Sequence, residues 1–130
     1  MTKKVDYKII SAKDFIKAKP SGEMDLEQSK KMLGKIATIA EPPADYEILL
    51  DIRQAYGNLT FINVYGLVME LGKHRSAFRN KIAVLSRDDH QFDNAQFMEL
   101  CAKNRGFQVA AFINFEDAID WFSTCTKVEK

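Results

Sequence analysis

The sequence predicts an α/β domain in which strands and helices alternate. Three short apolar runs, at residues 47–52, 81–85 and 108–113, are each followed by a polar capping residue and a segment with helical periodicity. Continuous apolar runs are typical of parallel strands that are covered on both faces, and their alternation with helices indicates βαβ units. The chain of 130 residues is long enough for one domain, spanning 1–130, with its own core.

Two further strands are predicted near the N-terminus. Residues 5–10 alternate apolar and polar side chains, and residues 15–19 follow a turn at residues 11–14, so the two are expected to pair antiparallel. Ser21-Gly22 is expected to end the second strand. That strand is predicted to lie at an edge of the sheet, because it carries residues that discourage further pairing: Lys17, Lys19 and Pro20.

Four helices are predicted from capping residues and helix-ending residues. The predicted N-caps are Asp25, Thr60, Asp93 and Asn114. The first three helices are expected to end at Pro42-Pro43, Gly72 and Gly106. The order is then β-β-α-β-α-β-α-β-α. Right-handed crossovers would place neighbouring helices on one face of the sheet and leave the other face thinly covered, which favours dimerisation.

The predicted second helix is apolar on most of its sides. From Phe61 to Leu71, eight of eleven residues are large and apolar. A helix needs only an apolar stripe to pack on a sheet, so this helix either has neighbours on several sides or presents a face to a partner. Burial in the core is the ordinary outcome. The side chains predicted to contact a partner are Ile62, Tyr65 and Met69.

Composition excludes several classes of function. Nineteen basic and eighteen acidic side chains give a net charge of +1, so no global field attracts nucleic acid. No segment approaches the roughly 20 apolar residues that span a bilayer, and membrane insertion is not expected. Cys101 is predicted to be a small buried residue and Cys125 to be exposed in the C-terminal tail. Two cysteines without CxxC spacing fit a reducing cytoplasm better than a disulfide.

A ligand site is predicted where the parallel strands end, since ligands gather beyond the carboxyl ends of such strands. The candidate ligand-binding residues are Arg53, Asn58, Thr60, Arg87, Asp88 and Asn114, with Asp89 and His90 nearby. Arg53 and Arg87 on adjacent strands would together bind a carboxylate or phosphate, which guanidinium groups match bidentately. The alternative is that either arginine pairs with Asp51 or a neighbouring aspartate and holds the loops in place.

No catalytic, metal or cofactor signature emerges from the residues. Neither cysteine has a histidine nearby in sequence, Ser86 is not in a nucleophile elbow, and there is no glycine-rich phosphate loop. Asp88, Asp89 and His90 have metal-capable chemistry, but no second cluster of ligands exists elsewhere in the sequence. We therefore predict no catalytic residues, no metal and no cofactor.

Several stretches resemble the SpoIIAA-like proteins of the STAS superfamily, which includes anti-sigma-factor antagonists. The matching segments are residues 46–53, 58–60, 81–85, 106–112 and 115–122. The resemblance implies a SpoIIAA-like β-α superhelix, with a mixed sheet of about five strands, an antiparallel N-terminal strand and four helices. It further implies a compact cytoplasmic bacterial domain that binds proteins or small ligands and has no catalytic machinery.

The chain departs from this family at its regulatory motif. Anti-sigma-factor antagonists carry a phosphorylatable serine in an Asp-Ser-Ser-Gly-like turn at the start of the helix after the central strand. Residues 57–63 here read Gly-Asn-Leu-Thr-Phe-Ile-Asn, without a serine. Thr60 holds the nearest position, and a plain N-cap is the alternative explanation for it. A phosphate there would be favoured by the helix dipole.

Two hypotheses of function follow. The first is a non-enzymatic STAS-like interaction or regulatory module that binds a protein partner or a second copy of itself. The second is a small-ligand or anion-binding protein that uses the carboxyl-end rim of the sheet. An enzymatic role rests only on the loop carboxylates, and neither nucleic acid nor membrane is an expected partner.

Overall fold

The computed structural model describes residues 6–11, 15–42 and 44–124. The strands are β1 (Asp6–Ser11), β2 (Phe15–Glu23), β3 (Glu47–Asp51), β4 (Ala55–Tyr56), β5 (Ile82–Leu85) and β6 (Val109–Phe112). The helices are α1 (Leu26–Ala40), α2 (Phe61–Lys73), α3 (His90–Lys103) and α4 (Phe115–Ser123). The α/β class and the four helices are confirmed within the described residues. The two-residue strand β4 was not predicted.

The main sheet has the strand order β1-β2-β3-β5-β6. β1 pairs antiparallel with β2, and the pairings from β2 through β6 are parallel. β4 pairs with the last two residues of β2. Residues 12–14 of the predicted turn between β1 and β2 lie outside the described residues.

The prediction that the second strand is an edge strand was wrong, because β2 lies between β1 and β3. It was also predicted to end at Ser21-Gly22, but it continues to Glu23. Its parallel pairing with β3 stops at Ala18, and pairing with β4 resumes at Gly22. Pro20 falls in the gap between these two ladders, where a missing N–H costs no bond on that side.

Three of the four predicted N-caps are confirmed. Asp25 accepts a hydrogen bond from the Gln28 amide at 2.8 Å, and Asn114 accepts one from the Asp117 amide at 2.9 Å. Thr60 forms a reciprocal capping box, in which its hydroxyl accepts from the amide of the residue three positions on, and that residue's side chain accepts from the Thr60 amide. Satisfying these first-turn amides explains why the helices begin there.

Two predicted helix boundaries were wrong. The N-cap of α3 is Asp89, four residues before the expected cap Asp93, because the Asp89 carboxylate accepts from the Gln91 amide at 2.8 Å. α2 runs through Gly72 to Lys73. Gly106, by contrast, lies just past α3 with a φ of 87°, the left-handed conformation that favours glycine after a helix.

The helices cover the sheet unequally. α1, α2 and α3 pack on one face, which we call the three-helix face, over buried strand residues that include Ile16, Ile48, Leu50, Ile82 and Val84. The opposite face, which we call the α4 face, has a smaller cluster of Leu49, Ala83, Leu85 and Ala118, flanked by half-buried aromatic side chains. The prediction from right-handed crossovers, that neighbouring helices share one face, is therefore confirmed for α1, α2 and α3. α4 packs on the other face.

Candidate functional site

A pocket of about 110 Å³ opens at the carboxyl ends of the strands, on the three-helix face. Its floor is formed by Leu50 of β3 and Val84 of β5. The three helices supply the walls through Met32, Leu67 and Met98, all of which are buried. The segment that joins β3 to α2, residues 52–60, forms its outer side. The pocket therefore occupies the edge at which the sequence predicted a ligand site.

Arg87 hydrogen-bonds to the backbone of the segment formed by residues 52–60. Its Nη1 donates to the carbonyl of Arg53 at 2.7 Å and to that of Ala55 at 2.8 Å. Its Nε donates to the Asp89 carboxylate at 3.1 Å. The backbone bonds fix the segment against the start of α3, so Arg87 holds a loop in place, which is the alternative role considered for it.

Two amide side chains of α3 hold the same segment. Gln91 Nε2 donates to the carbonyls of Ile52 and Ala55 at 2.8 and 3.2 Å, and its Oε1 accepts from the Arg87 amide at 2.8 Å. Asn94 Nδ2 donates to the carbonyl of Leu59 at 3.2 Å. Sequence reasoning missed both residues, because it began this helix after a cap at Asp93, which left Gln91 outside the helix. The sequence does offer a signal for them. Gln91 and Asn94 follow Asp89 and are three residues apart, so a helix capped by Asp89 would place both on the same side.

The segment is also joined to the end of β2. The Met24 amide donates to the Tyr56 carbonyl at 2.8 Å. Gly57 has a φ of 152°, and a Cβ there would lie 2.4 Å from the Met24 carbonyl oxygen. A side chain at this position would therefore push the segment away from β2. Fixed from both sides, residues 52–60 form a rigid wall of the pocket.

Arg53 lies away from this pocket. Its Nε and Nη2 donate to the two carboxylate oxygens of Asp51 at 2.9 and 3.0 Å. Asp51 is fully buried and, two residues after Leu49 on β3, faces the α4 side. Burial alone would raise the pKa of Asp51, but the hydrogen bonds from Arg53 outweigh it and hold that pKa below its usual value. The same carboxylate raises the pKa of Arg53.

The structure therefore does not bring the two arginines together to bind one anion. Arg53 is occupied by Asp51 on the α4 side, while Arg87 binds backbone carbonyls on the three-helix side. Of the remaining candidates, Thr60 and Asn114 cap α2 and α4. Asn58 and Asp88 are exposed. These six residues are distributed along the rim and do not form a single cluster.

The side chains predicted to contact a partner lie on the outer side of α2. Ile62 is 82% exposed, Met69 45% and Tyr65 41%. We call these three residues the α2 stripe. The guanidinium of Arg105 lies 5.2 Å from the centre of the Tyr65 ring and hydrogen-bonds its hydroxyl. The α2 stripe therefore contacts the turn that follows α3, through Tyr65 and Arg105.

Other functional features are sparse in the described part of the chain. No group of three or more histidine, cysteine or acidic residues there is placed to hold a metal ion. No helix of the described ranges combines the length and apolar character needed to cross a bilayer. Cys101 is a half-buried free thiol, not fully buried as predicted, and Cys125 lies outside the described residues.

Comparison with known proteins identifies the fold. No protein-family model matches the chain, and no curated protein sequence matches it. A crystal structure of an uncharacterized DUF3478-family protein with a SpoIIAA-like fold, from Shewanella loihica PV-4, has a TM-score of 0.59 at 19% identity and covers 94% of this chain and 96% of its own. An anti-sigma factor antagonist from Mycobacterium paratuberculosis has a TM-score of 0.61 at 12% identity, with 93% and 96% covered. The fold is SpoIIAA-like.

Proposed function

We propose that this protein is a non-enzymatic interaction module of the STAS type, and that the α2 stripe binds a partner protein. The observation that carries the proposal is the exposure of three large apolar side chains, Ile62, Tyr65 and Met69, on a helix already packed into the core. Adjacent exposed apolar residues on a rigid element are typical of protein interaction surfaces.

The inner side of α2 accounts for its packing without the stripe. Four residues on that side, Val64, Leu67, Val68 and Leu71, are buried against the sheet and neighbouring helices. In helical projection Ile62 and Met69 lie nearly opposite them. The apolar side chains of the α2 stripe are therefore not needed for packing α2 into the core. They account for the excess of apolar residues seen in the sequence of this helix.

The size of the stripe favours a transient contact. α2 has 13 residues and is about 20 Å long, so its outer face is smaller than the roughly 800 Å² per partner of a standard interface. An obligate dimer buries considerably more. We infer reversible binding to another protein, with a second copy of the chain as one candidate, as suits a regulatory module.

Two further observations support this role. One protein of similar fold is named an anti-sigma factor antagonist, a name that describes action on another protein. In this chain, Arg53 and Arg87 are both engaged by protein groups at the rim, so neither is poised for chemistry on a substrate. Thr60 Oγ1 serves the capping box of α2, which favours a structural role over phosphorylation.

The test compares Met69→Glu with a matched control, Ile113→Glu. Met69 and Ile113 have similar exposure, 45% and 41%, but Ile113 follows β6 at the far edge of the sheet. Met69→Glu should weaken association at least tenfold, because a charge would be desolvated at the contact. Both variants should keep the free energy of unfolding within about 0.5 kcal/mol of wild type.

Self-association is measured by sedimentation velocity up to millimolar concentration, and binding to other proteins by affinity capture with quantitative mass spectrometry. The proposal is supported if association, or a specific captured protein, is lost with Met69→Glu and retained with Ile113→Glu. It fails if wild type stays monomeric and the captured proteins are the same for wild type and Met69→Glu.

A further inference from the structure

We infer that the pocket on the three-helix face is a binding site for a small apolar molecule, of the size of one aromatic ring or a short branched alkane. This inference is independent of the α2 stripe. The stripe faces outward from α2, whereas the pocket is lined by Leu67 on the inner side of the same helix. It also changes the chemistry expected at this rim, from an anion to an apolar ligand.

The volume sets the size of the ligand. The pocket measures about 110 Å³. An engineered apolar cavity of about 150 Å³ in another protein stays dry and binds benzene. This pocket is slightly smaller and mostly apolar, so its interior accommodates a group of the size of a single ring.

The lining sets the polarity of the ligand. Floor and walls are aliphatic or thioether side chains, among them Leu50, Val84 and Met32. Two more methionines line the pocket, and their flexible side chains can adapt to the shape of a ligand: Met24 and Met98. A pocket so lined offers water few partners, so filling it with an apolar molecule is favourable.

Four polar side chains around the pocket, Ser29, Arg87, Gln91 and Asn94, are engaged by other protein groups. Ser29 Oγ donates to the Asp25 carbonyl at 2.8 Å. Arg87, Gln91 and Asn94 donate to backbone carbonyls of residues 52–60. The loop therefore holds Arg87 Nη1 and the amide groups of Gln91 and Asn94 through hydrogen bonds. With these donors engaged and an apolar floor, the pocket favours an uncharged ligand over an anion.

A route for entry is present. Of the lining residues, Tyr56 and His90 are exposed, which places the mouth between the end of β4 and the start of α3. The rim of the mouth offers aromatic and imidazole groups, and the interior is apolar. A ligand would therefore enter with its apolar part first, and a single hydroxyl on it would remain near Tyr56 or His90.

The experiment uses toluene as the probe and the full chain as the protein. At ten times its Kd, toluene should raise the Tm of wild type by about 5 °C, since a ligand that binds only the folded state stabilises it. Leu67→Phe fills the pocket from α2 and should abolish the shift. Ile36→Val is the control, because Ile36 is a buried residue of α1 that does not line the pocket, and it should keep the shift.

A second, milder variant, Val84→Ile, fills the floor by one methylene and should weaken toluene binding several-fold if Leu67→Phe does not fold. Met69→Glu should leave the toluene shift intact, which separates this site from the proposed partner surface. The inference is overturned if wild type shows no shift, or if the shift persists unchanged in the filled variants, since toluene would then bind elsewhere.

Discussion

The two faces of the sheet bury their residues by different means. The three-helix face has a continuous apolar core, and the buried polar side chain of α1 there, Ser29, is neutral. The α4 face buries two charged side chains, Asp51 at the carboxyl end of β3 and Lys81 just before β5. The first face is filled by apolar packing, whereas the second combines a smaller apolar cluster with charge-assisted hydrogen bonds.

The difference follows from the number of helices on each face. α4 has nine residues and covers its face alone among the described elements, with Trp121 and Phe122 only half-buried. Its packing area is small, so contacts at its ends matter. Lys81 Nζ donates to the carbonyl of Trp121, and to the carbonyl and hydroxyl of Thr124, at 2.7 to 2.9 Å. A cation at a helix C-terminus is also favoured by the helix dipole.

The largest loss of stability is expected when one buried leucine on each face is replaced by alanine. Leu71 of α2 and Leu85 of β5 are both fully buried. Leu71→Ala should lower the free energy of unfolding by about 4 kcal/mol and Leu85→Ala by about 3 kcal/mol, because a lone helix can shift into a cavity more easily than a helix fixed between two others. Urea unfolding measures both. An equal or larger loss for Leu85→Ala would show that α4 is held as firmly as α2.

A somewhat smaller effect is expected from Arg53→Met, which leaves the buried Asp51 carboxylate without its partner. At pH 7 the loss should be about 3 kcal/mol. The lowered pKa of Asp51 contributes stability to wild type above the unfolded pKa of about 3.9, and this contribution is lost as the pH falls through the folded pKa. In the variant, burial instead raises that pKa, so protonation relieves the penalty.

The difference in free energy of unfolding between wild type and Arg53→Met, measured by urea unfolding, should therefore be smaller at pH 4 than at pH 7. Adding Asp51→Asn to the variant should recover part of the loss and remove this pH dependence, since no buried charge remains. A loss of the same size at both pH values would mean that the pair does not stabilise the α4 face through its charges.

Sequence reasoning succeeded where the determining chemistry is local. The caps at Asp25, Thr60 and Asn114 depend on hydrogen bonds within three residues, and the residue types alone predict them. It failed where two local signals compete or where pairing is long-range. Asp89 and Asp93 are both competent caps, and β2 resembles an edge strand because Lys17 and Lys19 lie on its more open face.

The ligand site predicted at the carboxyl-end edge of the sheet stays a prediction. The carboxyl ends of the parallel strands follow from topology, and the structure has a pocket at that edge. The apolar pocket there depends on contacts between segments far apart in sequence, such as the Tyr56 carbonyl with the Met24 amide, which no single stretch reveals. The roles of Arg53 and Arg87 also depend on their partners in the fold. Arg53 binds Asp51 on the α4 face, and Arg87 binds backbone carbonyls of the pocket wall.

The smallest effect tests the end of α4. Lys81→Met keeps the aliphatic stem but removes the hydrogen bonds to the last carbonyls of α4 and the cation 5.3 Å from the Trp121 ring. The expected loss is about 2 kcal/mol, and it should be local. Amide hydrogen exchange in α4 should then accelerate by roughly 30-fold, while exchange in α2 changes little.

Lys17→Met is the matched control, because Lys17 Nζ lies 5.6 Å from the Phe115 ring at the opposite end of the same helix. It removes a cation–π contact without removing a helix cap, so exchange in α4 should accelerate by only a few-fold. If Lys81→Met instead accelerates exchange equally in α2 and α4, the helix opens only when the whole domain unfolds. The two faces would then form one cooperative unit despite their different chemistry.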